Sequence, residues 1–196
     1  MPAVTVTAIP DVVVITPRRF GDTRGFFCET FNARDFAEIR PGIAFVQDNL
    51  SHSAARFTVR GLHFQAPPYA QAKLVSVLRG AVLDVALDIR VGSPTYGRHV
   101  AVTLTAERGE QMFVPRGFAH GFCTLEPDTL VAYKVDAFYA PSADRGIFWA
   151  DPALGIEWPT RPGEALLSER DQRHPPLAAA PSPFTHDELA MQAAQP

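Results

Sequence analysis

Short runs of Val, Leu, Phe and Thr recur along most of the chain: VVVIT at 12–16, KLVSVLRG at 73–80, VLDVALDIR at 82–90, HVAVTLT at 99–105, QMFVP at 111–115 and TLVAYKV at 129–135. Several alternate with a period of two, the period of a strand whose successive side chains face opposite ways. In 82–90 this places Leu83, Val85, Leu87 and Ile89 on one face and Asp84, Ala86 and Asp88 on the other. The acids there read either as an outward strand face or as groups standing behind a site. Arg79-Gly80, Val91-Gly92-Ser93-Pro94 and Glu107-Arg108-Gly109 punctuate the runs. Many short strands at this spacing predict an all-β sandwich or barrel, not alternating β/α units.

Before residue 160 only ARDFAEIR (33–40) reads as a helix, with Asn32 or Asp35 to cap its start and Pro41-Gly42 to close it. From about Pro159 the composition shifts to Pro, Ala and Glu. The reading is a single barrel domain over 1–160 and a C-terminal extension over 161–196. In that extension 164–173 predicts a turn or short helix, 175–184 irregular chain, and 186–192 a terminal helix too short to be stable alone.

Charge narrows the partners. With 18 Lys and Arg against 21 Asp and Glu, and no dense basic run, the chain lacks the cationic surface that neutralises nucleic-acid phosphates. No apolar run approaches the roughly 18 residues that span a bilayer, and the N-terminus lacks the basic start of a signal peptide. Cys28 and Cys123 fall in no metal-binding spacing and read as reduced thiols. These features predict a soluble cytoplasmic protein.

Residues 109–120, GEQMFVPRGFAH, fit G-x5-P-x-G-x2-H. The pattern resembles the second motif of the cupin superfamily, small jelly-roll barrels in which a Pro-Gly turn returns a His to the barrel mouth. A metal-binding cupin also carries an HxH pair and a Glu. Here the pair is His63-Phe64-Gln65, and Lys73 stands where the Glu would be, seven positions before Gly80. An ammonium in place of a carboxylate repels a cation, and an amide is a poor substitute for imidazole. The expectation is no catalytic metal, no cofactor, and a pocket that favours an anion.

Ordered blocks along residues 15–177 carry a closer likeness: FGDTRGFFCETF (20–31), QDNLSHS (47–53), RGLHFQAPPYAQAKLV (60–75), VPRGFAHGF (114–122), YKVDAFYAP (133–141) and LSERD (167–171). By these the chain resembles the dTDP-4-dehydrorhamnose 3,5-epimerase family. The resemblance implies inversion of the carbons flanking the ketone of a dTDP-4-keto-6-deoxyhexose. The roles can be read chemically. His63 is the base, because imidazole titrates near neutral pH. The resemblance supplies Asp171 to orient it, Tyr133 as the acid on the opposite face, and Lys73 can stabilise the enolate oxygen. It further implies Arg24 and Arg60 on the pyrophosphate, with Arg170 a weaker candidate. Glu29, Gln47 and Asn49 match positions that contact nucleotide or sugar. Phe20 and Tyr139 offer aromatic faces, and His120 is a pocket hydrogen-bonder or a polar neighbour of the Pro-Gly turn.

Strict alternation would put Arg60 and His63 on opposite faces, so both can line one site only if Gly61 marks a bulge or bend. On pattern alone Tyr133 is a half-buried strand aromatic and Lys73 a solvated charge; His52, His99, His174 and His186 read as structural. The family resemblance also implies a homodimer, and the apolar N-terminal stretch VTVTAIPDVVVIT could add an edge strand to a partner. Three alternatives stay open: a mono-epimerase acting at C3 or C5 alone, a metal-dependent cupin enzyme, and a non-catalytic sugar-nucleotide-binding module.

Overall fold

The computed structural model describes residues 1–187, and the expected helix at 186–192 lies almost wholly outside them. Thirteen strands and one α-helix make up the described regular structure, with four single-turn 3₁₀ segments. A six-stranded sheet runs β1(Ala3–Val6), β2(Val13–Thr16), β10(Gln111–Val114), β7(Lys73–Arg79), β12(Thr129–Val135), β5(Gln47–Ser53). A five-stranded sheet runs β13(Asp144–Gly146), β6(Val59–Gln65), β11(Phe118–Thr124), β8(Ala81–Asp88), β9(His99–Thr105). All these ladders are antiparallel. A separate hairpin joins β3(Arg19–Asp22) to β4(Gly25–Cys28).

The two sheets pack face to face, the arrangement expected from strand spacing. Val75, Val77, Met112, Val114 and Val131 of the first meet Val82, Ala86, Phe118 and Phe122 of the second in one buried cluster. Both sheets are also covered from outside. Helix α1(Ala33–Ile39) lays Phe36 against Val13, Ile15, Leu74 and Phe113. Asn32 caps it, its side-chain oxygen accepting from the Arg34 N–H, and so supplies the cap for which Asp35 was the other candidate. On the other side Leu154, Leu177 and Phe184 cover Leu62, Phe64, Val85, Leu87 and Ile89.

That second cover corrects the reading of 82–90. Leu83, Val85, Leu87 and Ile89 turn toward the C-terminal segment, while Asp84 and Asp88 point inward and are fully buried. An outward polar face is excluded for both. Asp88 is satisfied by Arg90, Ser93 and Thr95. Asp84 faces the site described below. The extension beyond 160 is pinned to the barrel by a Thr58–Leu166 bridge and a Val91–Thr185 bridge. Within 164–173 the only helical piece is the 3₁₀ turn Asp171–Arg173; a second, Leu177–Ala179, falls where irregular chain was expected.

Candidate active site

The barrel mouth opens into a cavity of about 540 Å³ lined by Arg60, His63, Lys73, His120, Tyr133, Tyr139, Asp144, Arg170 and Asp171 among others. Strand β6 delivers the first two. Against β11, His63 pairs with His120 but Arg60 pairs with Phe122, so β6 carries one extra residue between them. The irregularity expected at Gly61 is therefore present. Gly61 sits at φ +130°, and a Cβ there would lie 2.5 Å from Gly121 Cα and 2.8 Å from the His120 carbonyl oxygen. Only glycine serves at this close approach. The extra residue restores Arg60 and His63 to one face.

His63 Nε2 lies 2.5 Å from Asp171 Oδ1. The Asp171 backbone is held by its N–H donating to Ser168 Oγ at 3.1 Å, and its side chain is 5% exposed. Burial pushes the Asp171 carboxyl up, but its hydrogen bond to His63 and the charge of that ring outweigh this and hold it below the usual range. With the Nε2 hydrogen given to Asp171, the ring's lone pair is left on Nδ1.

Lys73 opens β7 and is buried, its Nζ donating to the His63 carbonyl at 3.2 Å. Burial lowers it to about 8, opposed by the charges of Asp144 and Asp84. It is thus no solvated charge. Tyr133 stands on β12 opposite Asn49 and Val75 and lines the same cavity. Burial raises its phenol, with the Arg60 charge acting in the opposite sense. His120 and Asp84 form a second, more deeply buried pair at 2.7 Å. Desolvation lowers the His120 imidazole against the pull of Asp84, favouring the neutral ring.

The flanking residues divide. Among the described residues Arg60 touches only neutral acceptors, Ser53 Oγ at 3.1 Å and the His52 carbonyl at 2.9 Å, which suits its charge to an anion. Arg170 is held by Asp144 at 2.5 Å, and Tyr139 Oη donates to the same Asp144 oxygen at 2.9 Å. Gln47 bridges Asn49 at 2.7 Å and the Tyr139 N–H at 3.1 Å. Asn49 faces a second cavity of about 540 Å³ between the β3–β4 hairpin and the six-stranded sheet, and neither Gln47 nor Asn49 lines the cavity of His63. Phe20, Arg24 and Glu29 are not brought to this cavity. Phe20 and Glu29 line a separate 170 Å³ pocket beside α1, and Arg24 projects from the β3–β4 turn paired with Asp22 at 2.5 Å. Among the described residues the hairpin forms its own two-stranded sheet, and Arg19 ties it to the Ala106 and Glu107 carbonyls at a distance from the lining of the His63 cavity.

Pattern reading passed over two neighbours, Asp144 and His174, and left a third, Asp84, open. Asp144 ties Tyr139 to Arg170, but only the β13–β6 pairing brings it in, and no motif marks it. Asp84 had a signal, an acid in a strand apolar on both faces. His174 was read as structural, yet its Nε2 lies 3.5 Å from Asp171 Oδ1 and its ring packs edge-on to His63 at 5.6 Å. The donor set does not fit a cupin-type metal centre. Gln65 is spent on the Tyr69 and Phe138 carbonyls and the Ala140 N–H, and Lys73 offers an amine where a carboxylate is needed.

A base fixed by a carboxylate, a buried ammonium and a phenol around one cavity suit proton transfer at carbon beside a carbonyl. The sequence model described as dTDP-4-dehydrorhamnose 3,5-epimerase matches residues 6–179. The chain belongs to that family. A dTDP-4-dehydrorhamnose 3,5-epimerase of Sinorhizobium fredii is 51% identical over 179 residues, 91% of each chain. The crystal structure of a Legionella pneumophila dTDP-6-deoxy-D-glucose-3,5-epimerase in complex with dTDP-4-keto-L-rhamnose superposes with a TM-score of 0.87. It is 42% identical, over 91% of this chain and 94% of that one. A dTDP-4-dehydrorhamnose 3-epimerase of Streptomyces niveus is 42% identical over 166 residues, 84% of this chain and 78% of its own. The fold of this family of isomerases is the cupin-type jelly roll described above. Among the described residues no helix is long and apolar enough to cross a membrane.

Proposed function

We propose that this chain epimerises dTDP-4-keto-6-deoxyglucose at C3 and C5, giving dTDP-4-keto-L-rhamnose. The observation that carries the reading is the 2.5 Å His63–Asp171 contact facing Lys73 and Tyr133 across one cavity. His63 Nδ1 takes the proton from carbon beside the ketone, and Asp171 stabilises the imidazolium that forms. The Lys73 ammonium stabilises the enolate oxygen. Tyr133 returns a proton from the other face. Arg60 binds the pyrophosphate, Tyr139 stacks on the nucleotide or sugar, and His120 accepts a hydrogen bond from a sugar hydroxyl through Nδ1. Arg170, already neutralised by Asp144, contributes less.

A homodimer in the cytoplasm completes the proposal. Val4, Val6, Phe26, Phe27, Leu50 and Leu78 are 43–69% exposed, an apolar excess that a second copy of the chain would cover. In a dimer the projecting hairpin can serve the partner's cavity, which is how Phe20, Arg24 and Glu29 would act as ligands. The test is turnover of dTDP-4-keto-6-deoxyglucose in heavy water. Deuterium at both C3 and C5 of the product is expected. A second reading, inversion at one carbon, is favoured by the relative named a 3-epimerase, and exchange at a single carbon would establish it.

A further inference from the structure

His63, Asp171 and His174 bring two imidazole nitrogens and a carboxylate oxygen within 4.8 Å of one another. His174 takes no part in the chemistry proposed above. Its position is nevertheless built. Gly146 pairs with His63 across β13 and β6, and a Cβ on Gly146 would strike His174 Nε2 at 2.4 Å, so the glycine makes room for the ring. The segment after it is anchored by the Phe148 N–H donating to the Pro175 carbonyl at 2.7 Å. The His174 side chain is 11% exposed, and its Nε2 is shut off from solvent without a hydrogen-bond partner.

We infer that these three side chains form a regulatory site for a divalent transition ion of the zinc class, which inhibits the enzyme by occupying His63 Nε2. Two imidazoles and one carboxylate with an open fourth position are a common donor set for such an ion. Donor atoms on a tetrahedral ion at about 2.0–2.1 Å stand roughly 3.3 Å apart. The present separations of 2.5 Å and 3.5 Å to Asp171 Oδ1 bracket that value, and all three donor atoms lie within 4.8 Å of one another. Inhibition follows from proton placement. A neutral imidazole holds one hydrogen; with the metal on Nε2 the hydrogen moves to Nδ1, and the lone pair that would accept the substrate proton is gone. This last step rests on the reading of His63 as the base.

Zinc chloride titrated into the full chain, followed by calorimetry and by competition with a chromophoric zinc indicator, tests the site without reference to activity. One zinc per chain is expected, with affinity falling about 100-fold or more in His174→Gln and in His63→Asn. Zinc-edge absorption should show nitrogen and oxygen neighbours. Unchanged affinity in His174→Gln, or sulfur in the zinc shell, would overturn the site. In a parallel assay turnover should fall in step with occupancy and return on chelation. Stoichiometric binding at this site with turnover intact would overturn the inhibition and point instead at the base assignment.

Discussion

Replacing Asp171 by Asn removes one charge and nearly no volume, so it isolates what the carboxylate does. In the wild type the 2.5 Å contact holds the His63 hydrogen on Nε2 and faces the positive charge that develops on the ring. A hydrogen bond to a charged group contributes about 1.5–3 kcal/mol, and each 1.36 kcal/mol is tenfold in rate. That alone predicts a loss of roughly 10–100-fold in kcat. The amide can also present its N–H₂ to Nε2 and move the ring hydrogen to Nδ1, the wrong tautomer; amidating an orienting aspartate in a serine protease costs about 10⁴-fold. The expected loss is therefore about 10²–10⁴-fold in kcat, with KM nearly unchanged because Asp171 lies behind His63. Single-turnover formation of epimerised sugar, read by proton NMR, measures it. A kcat within threefold of wild type, in a variant that folds, refutes the dyad. Folding supplies its own check. The Asp171 carboxyl is depressed in the folded chain, so its stabilising contribution is full above the unfolded value of about 3.9 and lost as pH falls through the folded one. The gap in Tm between wild type and Asp171→Asn should close below pH 4.

Lys73 sits near 8, so kcat/KM should fall as pH rises through that value and the ammonium is lost, and Lys73→Arg, weaker overall, should keep its residual activity to higher pH. A basic limb at pH 8 that survives in Lys73→Arg would assign it to another group. Tyr133→Phe should cut product formation by about 10²–10⁴-fold while unreacted substrate still exchanges its proton for deuterium, because base and acid are separate groups. Loss of that exchange along with turnover would place Tyr133 on the base side. Gly61→Ala combines a forbidding φ with a 2.5 Å clash against Gly121, which predicts about 2–5 kcal/mol of destabilisation and a Tm lower by roughly 5–20 °C. An unchanged Tm would show that the bulge has room to relax.

What the sequence made legible was local chemistry and what it hid was enclosure. The strand runs at 73–80, 99–105 and 129–135 appear where alternation puts them, because half-buried strands write period two directly. Gly61 could be read as a bulge because two residues with one destination stood on opposite parities. Strand β8 misled for the opposite reason. When a C-terminal segment covers a sheet's outer face, both faces are interior, and polarity no longer says which way is out. Alternation therefore left Asp84 open between an outward face and a place behind the site, and enclosure decides for the latter. Asp144 and His174 belong to segments whose approach to His63 depends on one short pairing and one turn, β13 and Asp171–Arg173. Nothing periodic encodes either. The hairpin residues Phe20, Arg24 and Glu29 mark a different limit, since similarity along a chain does not say which subunit's cavity a residue serves.

The two histidine–aspartate pairs at the mouth show how one motif acquires two roles. His63 and His120 sit directly opposite on β6 and β11, and each has a carboxylate within 2.7 Å. Composition and contact do not separate them; access does. The His63 side chain is 32% exposed to the cavity, so its second nitrogen can reach a substrate carbon and its cationic form can be solvated there. His120 is 8% exposed on a carboxylate that is fully buried, and desolvation keeps its ring neutral. A ring that resists charge makes a poor proton acceptor in catalysis, but with its Nε2 hydrogen held by Asp84 its Nδ1 lone pair is a well-fixed acceptor for a sugar hydroxyl. The division also accounts for Lys73. An ammonium between two potential imidazolium ions is tolerable only if one ring stays neutral, and the buried pair is the one that does. Asp84 therefore contributes twice, orienting His120 and offsetting part of the burial that would otherwise strip Lys73 of its proton.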